Sequence, residues 1–181
     1  MVESARKLFA QKGYAHASRE EIVADAGVTR GALQHHFGNK ESLFATVYET
    51  VEQQLVEQVA KAAMQAGGDA VERLRAGCHA YLDAVMDPAV QRICAVDGPA
   101  VLPTELRRQI TDRYALGLVR EALQMAFSEG LVEAAPVEPL ARVLLAGVTA
   151  AAEYVATSPD VNAARREAGS TLDLLLDGLK G

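Results

Sequence analysis

The sequence predicts an all-α protein of about nine helices, and three observations carry that prediction. Ala, Leu, Glu, Gln and Arg are abundant while aromatic residues make up only 5% of the chain, a composition that favours helix over sheet. Apolar residues recur at three- and four-residue spacing in nearly every segment, and no alternating strand pattern occurs. The breaks between these segments are Gly, Pro, Asn or Asp, the residues that stop and cap helices. With 181 residues, half of them hydrophobic and 23% charged, the chain has the material for a substantial core and is not of the disordered class.

Taken in order, Ala5, Leu8 and Phe9 share one face of a first helix over 2–12, which Gly13 stops. Ser18 with Glu21 three residues later forms a capping box for a second helix, with Ile22, Val23 and Ala26 inward. Gly27 supplies the turn, since a positive φ costs glycine least. Thr29 caps a third helix that runs to Phe37, and Gly38-Asn39 breaks it. Lys40-Glu41 opens a long fourth helix with Leu43, Phe44, Val47, Val51, Leu55 and Val59 inward. A fifth helix follows over about 69–86 and a short one over 88–96, ended by Asp97-Gly98-Pro99. Pro103-Thr104-Glu105 starts a long helix to about Glu129, and two last helices cover 140–157 and 160–179.

The second and third helices, joined by a tight turn, read as a helix-turn-helix, the unit that lays its second helix in the major groove of DNA. By helical spacing Leu33, His36 and Phe37 face the core, which puts Arg30, Gly31, Gln34 and His35 on the outer surface. Arg30 and Gln34 project side by side. Arg can fork onto guanine and Gln can pair with adenine, each contact worth ~1–3 kcal/mol of discrimination. Gly31 lets the backbone approach the groove. Thr29, Arg19, Lys40 and His35 are candidates for phosphate contacts.

Charge is divided unevenly. The net charge is −6, yet residues 1–50 carry six Lys and Arg against six Asp and Glu, so the deficit lies beyond residue 50. That excludes a nonspecific DNA-coating protein and leaves recognition to locally placed cations. No apolar run approaches the roughly 20 residues of a membrane span, and the N-terminus lacks the apolar core of a secretory signal, so a cytoplasmic protein without a membrane partner is expected.

Residues 3–48, with Ala-Arg-Lys-Leu-Phe-Ala-Gln-Lys-Gly-Tyr near the start and Gly-Val-Thr-Arg-Gly-Ala-Leu-Gln-His-His-Phe-Gly-Asn-Lys-Glu-Ser-Leu-Phe near the end, resemble the DNA-binding domain of TetR-family transcriptional regulators. Asp97-Gly98-Pro99-Ala100-Val101-Leu102 resembles a segment found in a subset of them. The resemblance implies an all-helical homodimer, usually a repressor, with a DNA-binding domain over 1–46 and an effector-binding and dimerisation domain over 47–181. Such a dimer sits on a palindromic operator in double-stranded DNA and is released by a small molecule. The chain departs from the family in two places. Gln34 stands where an aromatic Tyr is common, which exchanges a phosphate contact for a base-reading amide. Family members commonly carry a basic arm before the first helix, whereas this sequence begins almost inside that helix; without such an arm, lower affinity and a salt dependence shallower by about one unit per lost phosphate contact are expected.

In the second domain, the apolar excess of the last two helices marks a dimer interface through Leu144, Val148, Ala151, Leu172, Leu175, Leu176 and Leu179. Candidate effector residues are those whose character is odd for a core helix: His79, Asp83, Tyr114, Met125 and Tyr154. No cofactor, metal site or catalytic residue is expected. Cys78 and His79 are adjacent on one helix and point about 100° apart, which is not the geometry of a nucleophile and its base. Two other readings stand beside the regulator: a helical interaction protein with a weakened helix-turn-helix, and a redox-responsive regulator using Cys78 and Cys94.

Overall fold

The structure is a computed structural model that describes residues 1–132 and 135–180. Among these residues there is no strand, and the helical segments join into nine helices. They are α1 (Val2–Lys12), α2 (Arg19–Asp25), α3 (Arg30–Phe37), α4 (Lys40–Ala66), α5 (Ala70–Ala84), α6 (88–101), α7 (104–128), α8 (Val137–Thr157) and α9 (Val161–Asp177). Two of them contain a π-helical turn, α6 at Gln91–Asp97 and α7 at Asp112–Leu116.

The chain divides into two compact units, one of residues 1–53 with 87–110, the other of 54–86 with 111–181. This is not the single cut expected after residue 46. The reason is local: α6 packs back onto α1, so a segment remote in sequence completes the first unit.

In that first unit α1 rests on α2 and α2 on α3. Phe9, Tyr14 and Phe44 meet edge-on or tilted, with ring centroids 5.1–5.8 Å apart, and Ala5, Ile22, Leu33, Leu43 and Val47 are buried around them. Lys7 bonds Asp25 at 3.0 Å, and Lys12 pairs with Glu21, so two surface ion pairs hold α1 to α2. The predicted capping box is present: Ser18 Oγ accepts from the Glu21 amide at 3.1 Å, and the Glu21 carboxylate accepts from the Ser18 amide at 3.0 Å. Asn39 does more than break α3, since its side chain accepts from the Ser42 amide at 2.7 Å and caps α4.

Asp97-Gly98-Pro99, expected to end α6, lies inside it. The Gly98 amide donates to Ile93 five residues back, a π-type bond, and Pro99 then falls in the first turn of the α-helical stretch Gly98–Val101, where its missing N–H is not needed. Gly98 is required by packing: a Cβ there would stand 2.7 Å from Cε2 of the Tyr48 ring.

In the second unit α5 packs on the Gly117–Ser128 part of α7, α8 lies against both, and α9 against α8 and α5. Leu74, Leu82, Leu123, Leu144, Val148, Leu172 and Leu176 are buried there. Helix α8 starts at Val137, three residues before the expected 140, because Pro139 is tolerated in a first turn. At 21 residues α8 is long and apolar enough to cross a membrane by length and composition, contrary to the expectation from sequence. Ala and Gly among its Leu and Val residues mask that length, and Ala141, Leu144, Val148, Ala152 and Val155 turn one face of it inward.

Candidate nucleic-acid interface

The recognition helix owes its orientation to one buried side chain. Leu33 is the buried residue of α3, and with half-buried Ala32 and Phe37 it anchors an eight-residue helix whose other residues are exposed. Arg30, Gly31, Gln34 and His35 are all exposed, as the spacing predicted. His36 is a correction: it was expected in the core and is exposed, with its ring edge-on to His35 at 5.3 Å. Three residues along a helix is a rotation of about 60° from Leu33, and in the last turn of a short helix this passes the edge of the core. Phe37, four residues on, is half-buried.

Gly31 has no structural need to be glycine. Its φ is not positive, and a Cβ there would meet only Thr29 Oγ1, at 3.8 Å. A helical glycine that the fold does not require costs about 1 kcal/mol against alanine, and here it leaves the outer surface of the helix open. Thr29 Oγ1 accepts from the Ala32 amide at 3.1 Å and caps α3, while its hydroxyl retains a proton to donate.

Among the candidate phosphate anchors, Lys40 has a defined seat. The Lys40 ammonium lies 4.3 Å from the centroid of the Tyr14 ring. Burial and then the nearby Arg19 guanidinium weaken its hold on its proton, while Asp97 strengthens it. Arg19 opens α2 and Lys40 opens α4, and the charge of the first is felt by the second. Arg30 sits 3.3 Å from Glu20 on α2. Sequence reasoning missed three residues here: Glu20, Tyr14 and Asp97. Only Tyr14 carried a signal, as an aromatic directly after a stop glycine.

The expected effector residues have the following places. His79 Nε2 lies 2.9 Å from Asp173, and Arg165 reaches both Nδ1 of His79 at 3.1 Å and Asp83 at 2.6 Å. His79 and Asp83 thus belong to an ion network that ties α5 to α9. Met125 is exposed on α7, and Tyr154 is exposed on α8 with its hydroxyl donating to Glu167 at 2.7 Å. Tyr114 is half-buried in the π turn of α7.

The expected interface residues are also displaced. Leu144, Val148, Leu172 and Leu176 are buried in their own unit, and Leu179 packs on the cluster around Ala126 and Val132. Ala151 is half-buried, and only Leu175 is exposed. On α8 and α9 the large apolar residues that face outward are Val143, Tyr154, Leu174 and Leu175. An apolar excess on a helix does not say which side is already covered, and the core took the positions spaced four apart. Both cysteines are held as thiols. Burial pushes Cys78 up to about 12, and burial with the Glu52 carboxylate pushes Cys94 up as well.

Comparison with known proteins meets this geometry at each level. Residues 1–47 match the family model described as bacterial regulatory proteins, tetR family, and residues 71–179 match that of the tetracyclin repressor-like C-terminal domain. The TetC protein of transposon Tn10 from Escherichia coli is 31% identical over 138 residues, 74% of this chain and 67% of its own length. A TetR-family transcriptional regulator from Pectobacterium atrosepticum superposes with a TM-score of 0.86 at 31% identity, covering 99% of this chain and 91% of that one. SmeT, the repressor of a multidrug efflux pump in Stenotrophomonas maltophilia, superposes at 0.75 with 26% identity, over 98% and 87% of the two chains. An exposed Arg-Gly-Gln face on a capped recognition helix, carried by a chain that both family models match, makes this protein a DNA-binding transcriptional regulator of the TetR family.

Proposed function

We propose that the chain is a cytoplasmic repressor that binds a palindromic operator as a homodimer and is released by a small molecule. Reading is assigned to Arg30, Gly31 and Gln34, with Thr29, Arg19, Lys40 and His35 on phosphates. The observation that carries this assignment is the open surface around Gly31, flanked by two side chains able to read base edges. A single helix-turn-helix makes few contacts, and dimers reading two half-sites supply the rest.

For the dimer, the support is one continuous outward face. On α8 it holds Val143, Ala146, Ala150 and Tyr154, and the Tyr154–Glu167 hydrogen bond joins it to Thr171 and Leu174 on α9. Two such faces from two copies make a four-helix bundle. The effector is assigned to the second unit, with Tyr114 as its candidate contact. SmeT is itself a repressor, and that direction of control agrees with this reading.

The experiment is a gel shift on the chain's own upstream DNA, with Arg30→Ala and Gln34→Ala beside wild type. Binding that prefers this DNA over random sequence and weakens about tenfold or more in either variant supports the reading. A wild-type dimer without preference at low salt sinks it and favours an interaction protein. A screen for small molecules that raise the melting temperature, repeated with Tyr114→Ala, tests the effector assignment.

A further inference from the structure

We propose that Asp97, on α6 and outside the helix-turn-helix, is the positioning residue for the DNA phosphate contact of Lys40, acting through Tyr14. The proposal rests on the DNA-binding reading above and adds to it a residue that no base or phosphate touches.

Asp97 and Glu52 are the buried acidic residues among those described, Asp97 with 8% of its surface exposed. A carboxylate is not taken out of water without a partner that fixes it. Its Oδ2 accepts from the Tyr14 amide at 2.7 Å, and Arg92 Nε approaches the same oxygen at 3.5 Å. The Tyr14 amide directly follows the last turn of α1, which closes with Gly13 donating to Phe9. Helical bonding ends at that point, so the amide needs an acceptor from elsewhere, and it comes from a residue 83 positions away.

This bond fixes the backbone from which the Tyr14 ring projects. The ring packs edge-on against Phe44 at 5.1 Å and tilted against Phe9 at 5.8 Å. It also carries the Lys40 ammonium at 4.3 Å. Lys40 is at the first position of α4, where a long side chain otherwise has many rotamers. The ring gives that ammonium a fixed seat at the start of α4. An ammonium seated on a ring keeps its outer side for an anion from outside, and a phosphate oxygen is the anion that DNA offers.

The far end of this chain of contacts is fixed as well. Asp97 closes the π turn of α6, and the next residue, Gly98, lies against the Tyr48 ring so closely that no side chain fits. The Asp-Gly pair therefore has two separate duties, Asp97 toward Tyr14 and Gly98 toward Tyr48.

The test is fluorescence anisotropy of the full chain on its upstream DNA from about 50 to 300 mM salt, read as the slope of log affinity against log salt. Asp97→Ala is expected to weaken binding at low salt and to flatten the slope by about one per subunit, as Lys40→Gln does. The double variant is expected to match Lys40→Gln alone. Asp97→Asn keeps an oxygen at the Tyr14 amide and should keep the slope. Tyr14→Leu leaves Asp97 and the amide intact, removes the ring and should flatten the slope, which covers the case of Asp97→Ala failing to fold. An Asp97→Ala variant that binds less tightly with an unchanged slope, or that adds fully to Lys40→Gln, shows a merely structural role and overturns the proposal. Lys40→Gln with an unchanged slope overturns it too, while leaving base reading by Arg30 and Gln34 intact. Loss of wild-type preference for the upstream DNA overturns the DNA reading, and the proposal with it.

Discussion

Arg30 on the recognition helix faces Glu20 on α2 with 3.3 Å between guanidinium and carboxylate. Both side chains are about two-thirds exposed, so the pair adds little to stability. Its consequence is for binding. Arg30 must release Glu20 to fork onto a base, and Glu20 itself faces the phosphates that DNA brings. Glu20→Gln is therefore expected to tighten DNA binding about two- to tenfold while leaving the melting temperature unchanged. In an Arg30→Ala background the gain should shrink to the part that comes from phosphate repulsion alone. Anisotropy titrations and thermal melts on the four proteins check this, and an undiminished gain without Arg30 shows that the pair does not matter.

Gly13 carries a second prediction. Its φ of 77° and ψ of 162° lie in a region essentially reserved for glycine, and a Cβ there would collide with the Arg92 guanidinium. Gly13→Ala should destabilise the protein by about 1–3 kcal/mol, seen as a lower urea midpoint. Adding Arg92→Ala removes the collision but not the backbone strain, so only part of the loss should return.

These two positions show what a sequence can and cannot carry. That Gly13 stops a helix, that Ser18 and Glu21 form a capping box, and that Thr29 opens the recognition helix are local facts, written within a few residues. The outer face of α3 is also local, since it follows from where Leu33 points. Arg92 beneath Gly13, Asp97 beneath Tyr14 and Glu20 against Arg30 are products of tertiary packing. In the last two helices the limit is different. Leu172, Leu174, Leu175 and Leu176 are equally apolar, and only the packing of α9 on α8 and α5 decides which of them face inward. For the same reason His79 and Asp83 read as stray polar groups until Arg165 and Asp173 are placed beside them.

The capping box also sets a pH dependence. Lys12, followed by the amide and hydroxyl of Ser18, lowers the Glu21 carboxyl from 4.5 to about 2. A group whose pKa is lower folded than unfolded contributes stability that is fully present above the unfolded value and lost as pH falls through the folded one. The window is therefore from about pH 4.5 down to about pH 2. Asp25, lowered mainly by its bond to Lys7, acts in the same direction. Denaturation midpoints measured from pH 6 to pH 2 should fall through this window. Glu21→Gln should flatten the fall and lower the midpoint at pH 6.

The outward face of α8 and α9 makes the final prediction, one in which neighbouring residues give opposite results. Val143 and Leu174 are 71% and 73% exposed in the single chain, so a charge at either should leave the fold of one subunit intact. If that face joins two copies, Val143→Glu or Leu174→Glu places a carboxylate in an apolar interface, where desolvation opposes assembly. Light scattering should then report a monomer with an unchanged helical spectrum and much weaker operator binding. Leu172 is 1% exposed, and its packing partners lie within its own unit. Leu172→Ala should cost about 2–5 kcal/mol of stability by leaving a cavity, whatever the oligomeric state. A Leu174→Glu protein that remains a dimer while binding DNA normally removes this face from the interface.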